Sequence, residues 1–209
     1  MGAERSNLAR LQRAPATAPM AAVLRAHWQR LRKGEALPRR DEFAPRELAP
    51  VLSSMFLIEG TERGAARFLI AGRVLCALYG MELRGAPLAL LFEPAARGEI
   101  AGIVAAMSED PATVDLTLRA GQSTGRPALL ARMTLLPLAN RAGTRDLAIG
   151  TMEVSTPFME SAPLWPNGEF GQAPRRFGIE RCLRGPLRAG GADAPEPPPR
   201  GVPLLRLVE

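Results

Sequence analysis

At 209 residues, 46% of them apolar, the chain suits one domain with tails or two small domains, with enough apolar mass for a real core. Its net charge of +6 invites a polyanion partner, but the basic residues, all arginine except Lys33, are scattered and not clustered, which argues against nucleic acid or a charged membrane surface. Two distant cysteines, Cys76 and Cys182, exclude a disulfide framework or a zinc site, and no apolar run is long enough to span a membrane.

The start "MGAERS" fits a myristoylation pattern that is short and common by chance. "ATAPMAAVL" is brief, lies between Arg13 and Arg25 and has no cleavage signature, so it is not read as a signal peptide. Residues 1–18 are read as a flexible arm. From Met20 the bulky positions Met20, Val23, Leu24, His27, Trp28 and Leu31 recur at helical spacing. Arg32, Lys33 and Gly34 supply the basic end and the stop. "LPRRDEF" is a loop, and a short helical turn begins near Pro45.

A strand is predicted over Met55–Gly60, a hairpin connection over "TERGA", and a second strand over Ala66–Gly72, apolar enough to imply burial on both faces, or on one face plus an end. After Gly72 the rhythm turns helical through Val74, Leu75, Leu78 and Tyr79 to Gly80, a left-handed stop. "MELRGAPLALLF" reads as a loop with short turns. A helix starts with Glu93 and Pro94 and ends near Asp110–Pro111. Three strands follow. Thr113–Ala120 alternates cleanly, Pro127–Leu138 is long, and Leu147–Val154 closes the series after the turn "NRAGTRD". Strands on both sides of a helical block, hairpin-linked in the second group, predict an α+β fold: a five-stranded antiparallel sheet with helices on one face, preceded by an N-terminal helix. Residues 19–155 form the domain. Residues 156–209 read as a Pro/Gly-rich, largely irregular extension, disordered over 186–200, in which "VPLLRLVE" is a short apolar patch able to dock back as a strand.

The order of elements, together with "HWQRLRKGEALPRRDEFAPRELAPVLSSMFLIEG" and "RFLIAGRVLCALYGMELRGAPLALLF", closely resembles a family of bacterial stand-alone PAS-like proteins, over roughly residues 20–155. The matching positions are Trp28, Arg32, Gly34, Pro38, Arg40 and Pro45, with the acidic position blurred between Asp41 and Glu42, then Phe68, Ile70, Ala71, Gly72, Leu78, Gly80, Leu83 and Gly85. Arg73 departs from the family's frequent threonine, which puts any cap or ligand contact made there in doubt. The resemblance implies a sensory or regulatory protein that senses small molecules, redox state or light through a bound cofactor, or mediates dimer contacts, and with neither a membrane span nor a signal peptide read in the sequence a cytoplasmic location is expected. It carries no catalytic residue, no established ligand and no named partner.

The chemistry-bearing residues agree with that implication. Haem requires an axial ligand, and the single histidine, His27, lies in the flanking helix. Cys76 sits in apolar "VLCALYG", without the polar neighbours of a flavin-reactive cysteine, and reads as a buried thiol. No nucleophile–base pair, phosphate loop or metal-ligand group is present, so catalysis is not expected. "RGPLR" has the arginine spacing of a cyclic-dinucleotide receptor but lacks its polar partner motif, and reads as a basic linker. The candidate pocket is apolar: Phe56, Ile58, Phe68, Ile70, Leu75, Leu78, Tyr79, Phe92, Ile103 and Met107, with Arg73 and Tyr79 as its polar groups. A filled core is the competing reading. The stripe Met20, Val23, Leu24, His27, Trp28 and Leu31 must be covered, by its own sheet or by a second copy. The latter predicts a homodimer with Trp28 at the seam. The alternatives from other classes are an α+β enzyme acting on a small apolar substrate and a basic anion-binding or nucleic-acid-binding adaptor.

Overall fold

Apolar residues fall on both faces of the central strands, so the sheet must be covered on both sides. The computed structural model describes residues 19–34, 36–61, 65–122, 128–154 and 174–187. In it α1 is Met20–Leu31, β1 Met55–Gly60, β2 Ala66–Ala71, α2 Arg73–Tyr79, α3 Arg97–Glu109, β3 Ala112–Ala120, β4 Leu129–Leu138, β5 Leu147–Val154 and β6 Gly178–Pro186. Short 3-10 turns occupy Arg40–Glu42, Leu88–Leu91 and Pro94–Ala96. The strands form one antiparallel sheet in the order β2-β1-β5-β4-β3-β6. The arm 1–18, most of the C-terminal extension and its final apolar patch lie outside the described residues.

One face of the sheet carries α2, α3 and the 3-10 turns at Leu88–Leu91 and Pro94–Ala96, packed over Phe56, Ile58, Phe68, Leu116, Leu118, Met133 and Leu135. The other face carries α1, packed over Met55, Leu57, Leu136, Leu138, Leu147 and Ile149. Helices therefore lie on both faces, α1 opposite the others. Period-two alternation divides the two cores: Phe56 and Ile58 point one way, Met55 and Leu57 the other. β2 is an edge strand with only two buried side chains, Ala66 and Phe68, on one face, which removes the first of the two expectations, burial on both faces.

α1 is seated by specific contacts. Trp28 is 1% exposed, and its Nε1 donates to the Pro137 carbonyl at 2.9 Å. Pro137 lies past the last β3 pairing, Val114 with Leu135, where a residue without N–H is tolerated. Pro19 offers no side-chain cap, and Glu153 on β5 accepts the Ala21 N–H at 2.7 Å instead. Arg25 Nη2 donates to both Asp115 carboxylate oxygens, at 2.9 and 2.7 Å, and the Thr134 hydroxyl donates to Asp115 at 2.6 Å. Leu24, His27 and Trp28 are thus buried within the protomer. Of the two covers open to the stripe, the sheet's own outer face is the one that Leu24 and Trp28 use within this chain.

β6 was not expected. Residues 178–186 pair with β3 along its length, and the sheet has six strands where the sequence predicts five. The run does not read as a strand because a bulge between Thr117 and Leu118 in the ladder leaves Glu180 without a partner. Ile179 faces Leu118 and Cys182 faces Leu116, three positions apart instead of two, so the alternation is broken. Arg184, read as part of a linker, belongs to this strand.

Candidate functional site

Most of the residues expected to line a pocket come together between the sheet and the α2–α3 face. Phe56, Ile58, Phe68, Leu75, Leu78, Tyr79, Phe92 and Met107 meet in one buried cluster, with Ile103 half-buried against it. Phe56 and Phe68 pack edge to face, with ring centroids 5.9 Å apart. The close packing has a backbone cause at Gly150, where a Cβ would be driven into the Thr134 carbonyl and the Phe56 ring. Beside Ile58 and Met107 lies a cavity of about 10 Å³, also lined by Gly60, Ser108 and Asp146, with room for about one water.

Two expected pocket residues lie elsewhere. Ile70 is 42% exposed. A bulge between Leu57 and Ile58 lets β2 oppose Leu57 with Ile70 and Ile58 with Phe68, which turns Ile70 toward the α1 side of the sheet. Arg73 is exposed on the first turn of α2. That turn is held by backbone: Gly72 N–H donates to Met55 and Val74 N–H to Ser53, at 2.8 and 2.9 Å. A Cβ at Gly72 would meet the Ser53 and Leu52 carbonyl oxygens at 2.5 and 2.6 Å, so only glycine fits. Of the two polar groups read into the pocket, only Tyr79 is at the core.

The sequence reading missed Phe177, which is fully buried in the same cluster. It enters beside Phe92, and the backbone around it is pinned to the helical side. Arg175 N–H donates to Leu78, Phe177 N–H to Leu91 and Glu93 N–H to Phe177, at 2.8, 2.8 and 2.9 Å. The available signal was the inward pair Phe177 and Ile179 in "FGI", ahead of the bulge. Arg184 then reaches the end of α3, donating to the Asp110 carbonyl at 2.8 Å.

On the α1 side an open cleft of about 580 Å³ is lined by Arg40, Asp41, Glu59, Leu69, Asn140, Arg141 and Leu147. Here the blurred acidic position resolves into two jobs. Glu42 accepts the Arg39 N–H at 2.7 Å and caps the 3-10 turn, while Asp41 accepts from the Arg39 side chain at 3.2 Å and lies 3.8 Å from Arg141. Nearby, His27 is 5% exposed, with Nδ1 2.5 Å from the Arg30 guanidinium and 3.1 Å from Glu47, and its ring 5.2 Å from that of Phe43. Burial, then the charge of Arg30, hold His27 below the ordinary imidazole value against the opposing pull of Glu47. The Cys76 and Cys182 thiols are both free and both pushed up by burial, which disfavours the reactive thiolate. Among the described residues no group of three or more His, Cys, Asp or Glu could hold a metal, and no helix is long and apolar enough to cross a membrane.

Comparison with known proteins places this architecture. A family described as "PAS domain" matches residues 16–153, about two thirds of the chain. A crystal structure of a sensory box histidine kinase/response regulator from Burkholderia thailandensis E264 is similar at 17% identity and a TM-score of 0.32, covering 52% of this chain and 82% of that one. No curated protein matches.

Proposed function

The chain belongs to the PAS domain family, and on that premise we propose a stand-alone, cytoplasmic regulatory protein that acts by contact with other proteins and has no catalysis of its own. The observation that carries this reading is the filled core. The side chains that would line a ligand chamber pack on one another and on Phe177, next to a cavity of only about 10 Å³. A small-molecule chamber within that core would need several hundred cubic ångströms, and the one cleft of that size described above is open and lined mainly by charged and polar side chains, not by the apolar pocket residues. Sensing of a small apolar ligand is therefore the weaker arm of the PAS reading. Haem and cysteine-linked flavin are weaker still, given where His27 and Cys76 lie.

Native mass spectrometry of the protein as purified tests this reading. The expected result is the mass of the polypeptide, alone or as a homodimer. A stoichiometric small-molecule adduct would overturn it in favour of ligand sensing. Turnover in a metabolite screen, lost on altering core residues, would favour the enzyme alternative, and salt-sensitive retention of nucleic acid would favour the basic adaptor.

A further inference from the structure

Residues 174–187 lie beyond the family-matched region, which ends at 153, yet they complete the fold. They do so in an uneven way. Phe177 is fully buried, while β6 itself is largely exposed. It is held by Phe177 in the core, by Ile179 and Cys182 packed partly buried against that core, by a backbone ladder to β3, and by Arg184 on the carbonyl of Asp110 at the end of α3. Backbone pairing for affinity and one side-chain slot for specificity is how extended peptides are recognised at sheet edges.

We propose that the β3 edge, with the buried Phe177 slot beside Phe92, is a peptide-docking groove that this chain fills with its own segment. The partner it fits is a protein presenting an extended strand with an aromatic side chain at the position of Phe177 and a basic one at the position of Arg184. The groove's chemistry selects that occupant. The Leu91 carbonyl and the Glu93 N–H bracket the aromatic residue's backbone, and the Asp110 carbonyl and carboxylate receive the basic group, at 2.8 and 3.5 Å. The core supplies the apolar slot. In the resting chain the tethered segment has the advantage of high effective concentration, so a partner strand must compete with it. The inference rests on the reading that the protein acts by protein contact, and names the class of contact.

The probe is a fluorescent synthetic peptide of residues 174–187, measured by anisotropy against the full chain. The wild-type chain, its groove occupied, is expected to bind weakly. Phe177→Ala, which weakens the tethered segment and leaves the groove intact, is expected to bind at least about tenfold more tightly. A peptide carrying alanine at the Phe177 position is expected to lose that binding. Gly185→Val serves as a second variant, because a Cβ there would meet Thr113 Oγ1 at 2.6 Å and disturb only the end of the ladder. On the unmodified protein, amides of Ile179–Gly185 are expected to exchange at least about tenfold faster than those of β4. Exchange of β6 only with global unfolding would overturn the proposal. So would folded variants that gain no peptide binding, binding indifferent to the aromatic residue, or variants that instead self-associate, which would assign the groove to a second copy. A small molecule found by native mass spectrometry would sink the contact reading without altering any of these outcomes.

Discussion

The indole N–H of Trp28 donates to the carbonyl of Pro137, 2.9 Å away, inside the interface between α1 and the outer face of the sheet. The guanidinium of Arg32 lies over the same ring, 5.1 Å from its centroid. A residue with the look of a dimer anchor is thereby committed to its own protomer, and its removal acts on folding before it acts on assembly.

Trp28→Ala is expected to destabilise the protomer by roughly 3–5 kcal/mol, through lost burial and the cavity left behind. Trp28→Phe keeps most of the packing but orphans the Pro137 carbonyl, at a cost of about 1–3 kcal/mol. Urea denaturation measures both. Sedimentation of folded Trp28→Phe is expected to give the wild-type mass. A loss of dimer confined to this variant would restore α1 as a seam.

The chain has one histidine, so one imidazole resonance reports on the α1 interface. Its pKa is lowered in the fold, chiefly by burial, so the native state binds fewer protons than the unfolded chain below the ordinary imidazole value of about 6.5. The stability from keeping His27 neutral is fully present above that value and is lost as pH falls from it through the lowered native pKa. An NMR titration is expected to show the depressed midpoint. Denaturation of wild type is expected to weaken over this window more than that of His27→Gln. Equal pH dependence would remove His27 as the cause.

Gly150→Ala is expected to be severe despite adding one methyl group. The new Cβ has no room between the Thr134 carbonyl and the Phe56 ring, and forced overpacking costs about 1–3 kcal/mol or more. Chemical denaturation with near-UV circular dichroism tests this. Gly98→Ala is the control, because a Cβ there meets nothing within 4 Å and it is expected to be nearly neutral or slightly stabilising.

The Arg25–Asp115 pair is half-exposed on the Asp115 side, at 46%, so solvent screening keeps its worth small. Asp115→Ala also orphans the Thr134 hydroxyl, and a loss of about 1 kcal/mol is expected. The loss should shrink as salt rises. A salt-independent effect would point to the Thr134 contact alone.

The two thiols should separate by access. Cys76 is buried in α2, whereas Cys182 is half-buried on an edge strand. Thiol titration of the native protein is expected to modify Cys182 first, slowly because its pKa is raised, and Cys182→Ser is expected to abolish that early phase.

The sequence by itself determined the parts. Helical spacing from Met20 to Leu31, alternation in β3, and glycine at Gly80, where φ is +78°, made α1, β3 and the end of α2 legible, because each rests on contacts between residues close in the chain. The apolar residues of β1, β2, α2 and α3 were read as one cluster, and most of them are. Tertiary structure decided the rest. Which surface covers the α1 stripe depends on the outer face of β4 and β5, more than a hundred residues away, and nothing in the stripe's period names that partner. Two bulges then reversed the readings that depend on a period of two: one extra residue turned Ile70 out of the core, and another hid β6, just after Phe177, inside what reads as an irregular extension. Side-chain direction in a strand inverts with every inserted residue, and a bulge is fixed by the neighbouring strand, so it becomes visible only once the sheet has formed.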